Sequence, residues 1–232
     1  MSIKIYDCDQ GSDEWHDLRR GMVTASTIGA LITPKTKAVS TAQTGLTKLK
    51  EIAAERITAR SEDPFTSRDI ERGHFYEPIA REEYAKHKGV EVQEVGFIVR
   101  DVNGHKIGYS PDGLVTGDGL IEIKSRKQRI QVSHILDGVV PDENMAQLQT
   151  GLFVTGRGWI DYVSYSTGMP MMILRVLPDP AWQEAIGKAL EYAEQKITEI
   201  IADYETRAAG MPATEYVEQV EDWELELGGL QL

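Results

Sequence analysis

The stretch GYSPDGLVTGDGLIEIKSR, residues 108–126, carries the pattern on which the fold turns. From residue 119 apolar and polar positions alternate after a turn at Gly117-Asp118-Gly119, which predicts a β-strand over 119–125. Neighbouring side chains of a strand point to opposite faces, so Glu122 and Lys124 share one face while Ile121 and Ile123 share the apolar other. Asp112 follows Pro111 at the end of a second predicted strand, 105–110. If those two strands pair through the intervening turn, the Asp112 carboxylate reaches the same spot as that of Glu122. Two convergent carboxylates repel each other unless a hard cation lies between them. Magnesium suits such a site, because it takes a few carboxylate oxygens together with waters and substrate phosphate; manganese is the expected substitute. The backbone carbonyl of Ile123 is a further candidate ligand. Lys124 would orient or deprotonate an attacking water and offset charge developing on a phosphate. The spacing alone is short, and by itself a solvated strand carrying an ion pair is the plainer explanation. Context favours chemistry, since no charged residue precedes Glu122 in its strand and a turn lies just before it.

Working outward, period-two patterning predicts a strand over 91–100, and Asn103-Gly104 marks a tight turn into 105–110. Downstream, residues 126–137 and 142–155 read as helices, the second with Asp142 as a candidate cap. Strands are expected over 159–166 and 171–177, then a long helix over 179–207. Towards the N-terminus, residues 12–20 predict a short amphipathic helix capped by Ser12 and stopped at Gly21, followed by a helix from Ser26 to Ile32. Residues 33–45, rich in Thr and Lys and containing Pro34, read as a mobile loop. Helical periodicity resumes over 46–60 and 67–88. Helices, a strand cluster, then helix–strand–strand–helix predict an α/β fold with a mixed central sheet flanked by helices. We expect one domain over 1–210 and an acidic tail over 211–232.

A chain of 232 residues can bury a full core without cross-links. Its single cysteine, Cys8, excludes an internal disulfide and a multi-cysteine zinc site, and fits a reducing cytoplasm. The five histidines are scattered without ligand spacing. No stretch approaches the roughly 18 apolar residues of a membrane span, and no apolar signal core opens the chain, so neither membrane insertion nor secretion is expected. The formal net charge of −12 runs against the basic footprint usual for a nucleic-acid binder. Half of it, −6, arises after residue 204, where seven acidic residues face one basic residue, Arg207. Cations gather locally instead: Lys35, Lys37, Lys48 and Lys50 in one region, Lys124, Arg126, Lys127 and Arg129 in another. A bound cation and a local basic groove can outweigh an acidic total.

Four blocks, in order, resemble the phage lambda exonuclease, or viral recombinase, family. They are the opening run from Gln10 to Ser26, the helical Gly-x-x-x-Glu element Arg72–Glu77, the pair Ser110–Gly113 and Ile121–Lys124, and the helical run Met145–Gln149. The resemblance implies a restriction-endonuclease-like fold. It also implies a magnesium-dependent 5′→3′ exonuclease that digests one strand of linear double-stranded DNA, works as a ring-shaped homotrimer and serves phage-type recombination by single-strand annealing. Carried over by position, it implies that Asp112 and Glu122 bind the metal with Glu77 facing the same site, and that Lys124 is catalytic. Gln147 would position the nucleophilic water; Gln149, two residues on, cannot share its helical face. Arg19, Ser26 and Ser110 would form a pocket for the terminal 5′-phosphate, and Ile70 would wedge apart the end base pair. The implied setting is the cytoplasm of a bacterial host, with DNA ends as substrate and a single-strand annealing protein as partner. The tail, with Tyr216, Trp223, Leu225 and Leu227, is a candidate docking arm, against the plainer reading of a packing or disordered segment.

Each of these residues also has a bland explanation. Arg19 alone reads as a surface ion pair, Ser26 as a helix cap, and Glu77, before Pro78, as a first-turn acid at a helix restart. Trp15 and Trp159 read as core anchors, Cys8 as a small hydrophobe, and the strand 171–177 as core. His74 lies one helical turn from Glu77 and is within reach of the same site. Two rivals stand beside the exonuclease. An endonuclease of the same fold has no use for a terminal-phosphate pocket, and a non-catalytic DNA-binding scaffold has no need of an intact Asp112, Glu122 and Lys124.

Overall fold

Two tight turns organise the strands of the computed structural model, which describes residues 2–62 and 68–217. At Asn103-Gly104 both residues have positive φ, 55° and 88°, as the two-residue loop between β6 (Phe97–Val102) and β7 (His105–Tyr109) requires. Gly117 and Asp118, both at φ 82°, turn β8 (Gly113–Val115) back onto β9 (Gly119–Ser125).

The strands divide between two sheets and a small hairpin. The first sheet runs β1-β6-β7-β2, with β1 (Ser2–Tyr6) antiparallel to β6 and β2 (Val23–Thr24) parallel to β7. The second runs β11-β10-β9-β8-β5, built with β5 (Val92–Gln93), β10 (Trp159–Tyr165) and β11 (Met172–Val176). Its centre is the parallel pair β9 and β10; the flanking pairs are antiparallel. Seven helices among the described residues surround the sheets: α1 (Asp13–Arg19), α2 (Ala25–Leu31), α3 (Gln43–Thr58), α4 (Arg68–Lys88), α5 (Gln128–Asp137), α6 (Asp142–Thr155) and α7 (Pro180–Ala208). The expected α/β class with mixed pairing holds, although the strands form two sheets. None of the described helices is long and apolar enough to cross a membrane.

Alternation along β9 sets the layers. Ile121 and Ile123 enter a cluster with Ala80 and Tyr84 of α4 and Val163 of β10. Leu120 joins the larger core, with Ile28 and Leu31 of α2, Leu148 and Leu152 of α6, and Ile186 and Leu190 of α7. Full burial of each such side chain is worth about 1.5–3 kcal/mol, so β9 is gripped from both faces.

The chain divides into a compact unit over residues 1–201 and a second over 202–232. In the second unit α7 ends at Ala208, residues 211–217 are exposed, and residues 218–232 of the expected tail, Trp223, Leu225 and Leu227 among them, lie outside the described residues.

Several local expectations need correction. The segment 33–45 carries a hairpin of β3 (Ile32–Thr33) and β4 (Ala38–Val39), and α3 already begins at Gln43. The strand expected over 91–100 breaks at residues 94–96, and its halves belong to different sheets. Patterning does not reveal this break, because which sheet each half joins is set by partners distant in sequence. Pro141, not Asp142, is the N-cap of α6, and Thr24, not Ser26, caps α2 through a reciprocal contact with Thr27. Helix α4 runs unbroken through Pro78, so Glu77 is no first-turn acid. Strand β11 is an edge strand in which only Val176 is buried, and Trp159 is half-buried with the Arg175 guanidinium 3.6 Å above its ring.

Candidate active site

Strands 105–110 and 119–125 do not pair as expected; they lie in separate sheets. The segment Ser110-Pro111-Asp112 crosses from one sheet to the other, and the short β8 does what the longer strand was expected to do. Gly113 stands opposite Ile121, so Asp112, one residue earlier, is level with Glu122. The Asp112 Oδ2 accepts the Ile123 N–H at 2.5 Å, which fixes its carboxylate against β9.

Glu122 is only 1% exposed, and three protein donors hold it. Its Oε1 accepts from Lys124 Nζ and from Gln147 Nε2, both at 2.6 Å, and its Oε2 accepts the Tyr109 hydroxyl at 2.8 Å. Lys124 therefore does share the Glu122 face. Gln147 alone of the two α6 glutamines reaches the cluster; Gln149 turns away to donate to the Leu177 carbonyl at 2.8 Å and accept from the Asp179 N–H at 3.0 Å. Glu77 approaches from α4, held by Arg81 Nη2 at 2.6 Å. The same guanidinium donates through Nε to the Asp112 carbonyl at 2.7 Å and pairs through Nη1 with Glu94 at 2.5 Å.

Electrostatics follow from this crowding. Burial, then repulsion from Glu122 and Glu77, pushes the Asp112 carboxyl well above its usual range, against the pull of Lys124 and the Ile123 N–H. Burial likewise raises Glu77, with Arg81 opposing. For Lys124 burial works to lower the pKa, but Glu122 and Asp112 outweigh it and hold the ammonium above its usual value. Burial, with Glu122 and Asp112 nearby, raises Tyr109 far enough to keep it a neutral donor. A carboxyl raised in the folded state binds more protons there than in the unfolded chain, so its contribution falls as pH rises above about 4, the free Asp value. In chelator, Asp112→Asn is therefore expected to remove part of the decline in melting temperature between acid and neutral pH. Parallel pH–Tm curves for the two proteins would refute this charge assignment.

The donor set fits a hard divalent ion. Asp112, Glu122 and Glu77 supply carboxylate oxygens with more negative charge than Lys124 balances, and a magnesium site needs only one or two carboxylates beside water and phosphate. Among the described residues no three His, Cys, Asp or Glu side chains are already gathered around one point. Lys124 and Gln147 share Glu122 Oε1, and Arg81 is bonded to Glu77 Oε1.

The Arg19 side is built around Ser110, two residues before Asp112. Its Oγ accepts from Trp15 Nε1 at 2.9 Å and from Arg19 Nη1 at 3.1 Å. The Arg19 guanidinium lies 4.2 Å from the Trp15 ring and 5.5 Å from Phe97, a position that fixes its plane. Burial lowers the Arg19 pKa, and Glu55 works against that; an arginine stays charged through such a shift. Gly21, at φ 68°, turns the chain after α1; its N–H donates to Glu55 at 2.7 Å and its carbonyl accepts from Arg56 Nε at 2.7 Å. Ser26 Oγ lies 2.9 Å from Thr24 Oγ1 and faces a cleft of about 970 Å³ that Arg19, Ile70, His74 and Glu77 also line. The expected residues thus fall into two neighbouring groups, with Ile70, 45% exposed, on the cleft wall.

Three residues escaped the sequence reading. Trp15 is no core anchor but a wall and donor beside Arg19; Tyr109 holds Glu122; Arg81 ties Glu77 to Asp112. Two had a legible signal, since Trp15 precedes Arg19, and Arg81 follows Glu77, by four residues on a helix. Tyr109 had none, because only the sheet crossing brings it under Glu122.

With this geometry in place, kinship can be read. The family model of the YqaJ-like viral recombinase domain matches residues 14–158, a span that holds all but the first residue of α1, the crossing segment, β9 and α6. The chain belongs to the YqaJ-like viral recombinase family. No curated protein matches it. Among solved structures, the alkaline exonuclease LHK-Exo of Laribacter hongkongensis is similar over 87% of this chain and 100% of its own, at 30% identity and a TM-score of 0.74. The same holds for its complex with dAMP. A phage-related exonuclease of Haemophilus somnus 129PT shares the fold at 12% identity and a TM-score of 0.58, over 81% of this chain and 98% of its own. The fold is that of the restriction-endonuclease-like nucleases, and the family places the chain among the recombination nucleases.

Proposed function

We propose that the chain is a divalent-metal-dependent exonuclease that degrades one strand of linear double-stranded DNA in the 5′→3′ direction from a 5′-phosphorylated end. One observation carries this reading: Ser110, under the half-buried Arg19 and Trp15, is two residues from Asp112 at the carboxylate cluster. An anion pocket that close to a nuclease site suits a terminal phosphate next to the bond to be cut. An arginine whose plane is held by a ring is well suited to a phosphate, because its fork of donors is already oriented. The complex of LHK-Exo with dAMP, a mononucleotide, agrees with stepwise release from an end.

Asp112 and Glu122 would hold magnesium, or manganese in its place, with the Ile123 carbonyl and Glu77 as further oxygens. When bound, such an ion polarises the phosphate and makes water a better nucleophile. The side chains have separate tasks. Lys124, bonded to Glu122 Oε1 on the shared face of β9, points its ammonium at the place of the attacking water and the phosphate. There it would orient or deprotonate that water and offset charge developing on the phosphate. Gln147, anchored on Glu122 Oε1, presents its amide to a water beside the scissile bond. Arg19, Ser26 and Ser110 grip the 5′-phosphate, and Ile70 on the cleft wall meets the terminal base pair. The acidic total is accommodated if three copies form a ring with basic residues lining the channel. Residues 1–210 are then the nuclease body, 211–232 a tail available to an annealing partner, and a bacterial cytoplasm the setting for a phage-type recombination step.

Three DNA substrates test the reading: linear duplex with 5′-phosphate, the same duplex with 5′-hydroxyl, and closed circles. We expect at least ten-fold faster digestion of the phosphorylated ends, on the order of one lost charge-assisted contact, and no cutting of circles. Efficient cutting of circles would favour the endonuclease and sink the end-dependent reading. Magnesium added to chelator-treated protein should raise the melting temperature, less so in Asp112→Asn. Light scattering should give about three times the 25.9 kDa chain mass.

A further inference from the structure

Just past Lys124, β9 and β10 end side by side, with Ser125 opposite Tyr165. The Arg126 N–H donates to the Tyr165 carbonyl at 2.7 Å where the chain leaves the sheet. Helix α4 crosses this edge: Arg72 Nη2 donates to the Ser125 carbonyl at 3.4 Å, and the Tyr76 ring lies 6.1 Å from that of Tyr165. Phe75 stands edge-on to Tyr76, ring centroids 5.0 Å apart at 90°, and is itself 67% exposed. Tyr165 packs against the Ile121–Val163 cluster, so the row of rings is anchored at its inner end and open at its outer one. Lys127, whose side chain is 65% exposed, pairs with Asp69 at 2.9 Å on the same helix, beside Arg72.

An exposed ring packed against a second ring, with Arg72 and Lys127 sharing the single carboxylate of Asp69 alongside, offers a π face to a base and a net positive charge to its backbone. Arg72, one helical turn before Phe75, donates to the carbonyl of Ser125, the residue after Lys124, so this patch borders the end of β9 that carries the candidate site. We propose that Phe75, backed by Tyr76 and Tyr165 and flanked by Arg72 and Lys127, is a stacking platform for bases of single-stranded DNA beside the active site. The inference rests on the proposed exonuclease reading, under which removal of one strand leaves the complementary strand unpaired at that place. Stacking accepts any base, since every base has a π face, so the platform carries no sequence preference.

The test is binding, read by fluorescence anisotropy on the full chain with labelled oligothymidylate and with a labelled blunt duplex, both in chelator so that nothing is cut. Phe75→Ala should weaken oligothymidylate binding about ten-fold while changing duplex binding less than about two-fold, and Phe75→Trp should restore it. Unchanged oligothymidylate affinity, or an equal loss on both DNAs, overturns the platform. So does a fall in particle mass by light scattering in Phe75→Ala, which would mean that a second copy covers the ring. Wild-type protein that digests linear duplex yet shows no Phe75 effect removes the platform alone; wild-type protein that neither binds nor cuts DNA removes the reading beneath it.

Discussion

Lys124→Ala is expected to lower the cleavage rate at least about 10³-fold, the scale seen when an oriented charge donor is removed from a preorganised site. Among the described residues the ammonium is the only cation bonded to Glu122, and both Glu122 and Asp112 act on it electrostatically. Without it the developing negative charge on phosphate has no fixed counter-charge from the protein. Duplex affinity should stay within a few-fold, because the Arg19 pocket is untouched. Single-turnover cleavage and chelator-arrested binding, measured side by side, separate the two. A mutant as active as wild type would show that the cluster is not where cleavage happens. A wild type without activity under any divalent ion would favour the scaffold rival.

Arg81→Leu is the second large effect, and it acts on stability. Arg81 is nearly buried and serves three partners from three segments: Glu77, the Asp112 carbonyl and Glu94. Removing it leaves Glu77, whose side chain is 26% exposed, beside Glu122 without its cation. Breaking a buried pair from one side costs about 3–5 kcal/mol. Protonation of Glu77, whose carboxyl burial already raises, limits the damage, which should therefore grow as pH rises above the free Glu value of about 4.3. Denaturant unfolding in chelator gives the value. In a Glu77→Gln background the same change should cost at least about 1 kcal/mol less, the coupling that a double-mutant cycle isolates. Equal costs in both backgrounds would mean that Arg81 merely packs.

Much of this site was legible in the chain itself. Alternation in GLIEIKS put Glu122 and Lys124 on one face and predicted the strand to within its ends, because a strand's two-residue repeat is a local property. Helical spacing separated Gln147 from Gln149 for the same reason. Membership of a nuclease family was readable because its motif blocks survive in order, even where overall identity to a solved relative is 30%.

Other features were decided only in three dimensions. Asp112 was expected to reach Glu122 through one pairing and reaches it through another, that of β8, a three-residue strand too short for periodicity to reveal. The break in 91–100, the exchange of sheets at Ser110–Asp112 and the hairpin within 33–45 depend on which strands find each other, and pairing partners distant in sequence leave no local trace. Trp15, Tyr109 and Arg81 gain their places at the site the same way. The sequence alone nominated the groups proposed to carry the chemistry, since that rests on residue type and short-range period. The tertiary structure decided what holds those groups, how charged they are and what stands beside them, because burial and long-range contacts set all three.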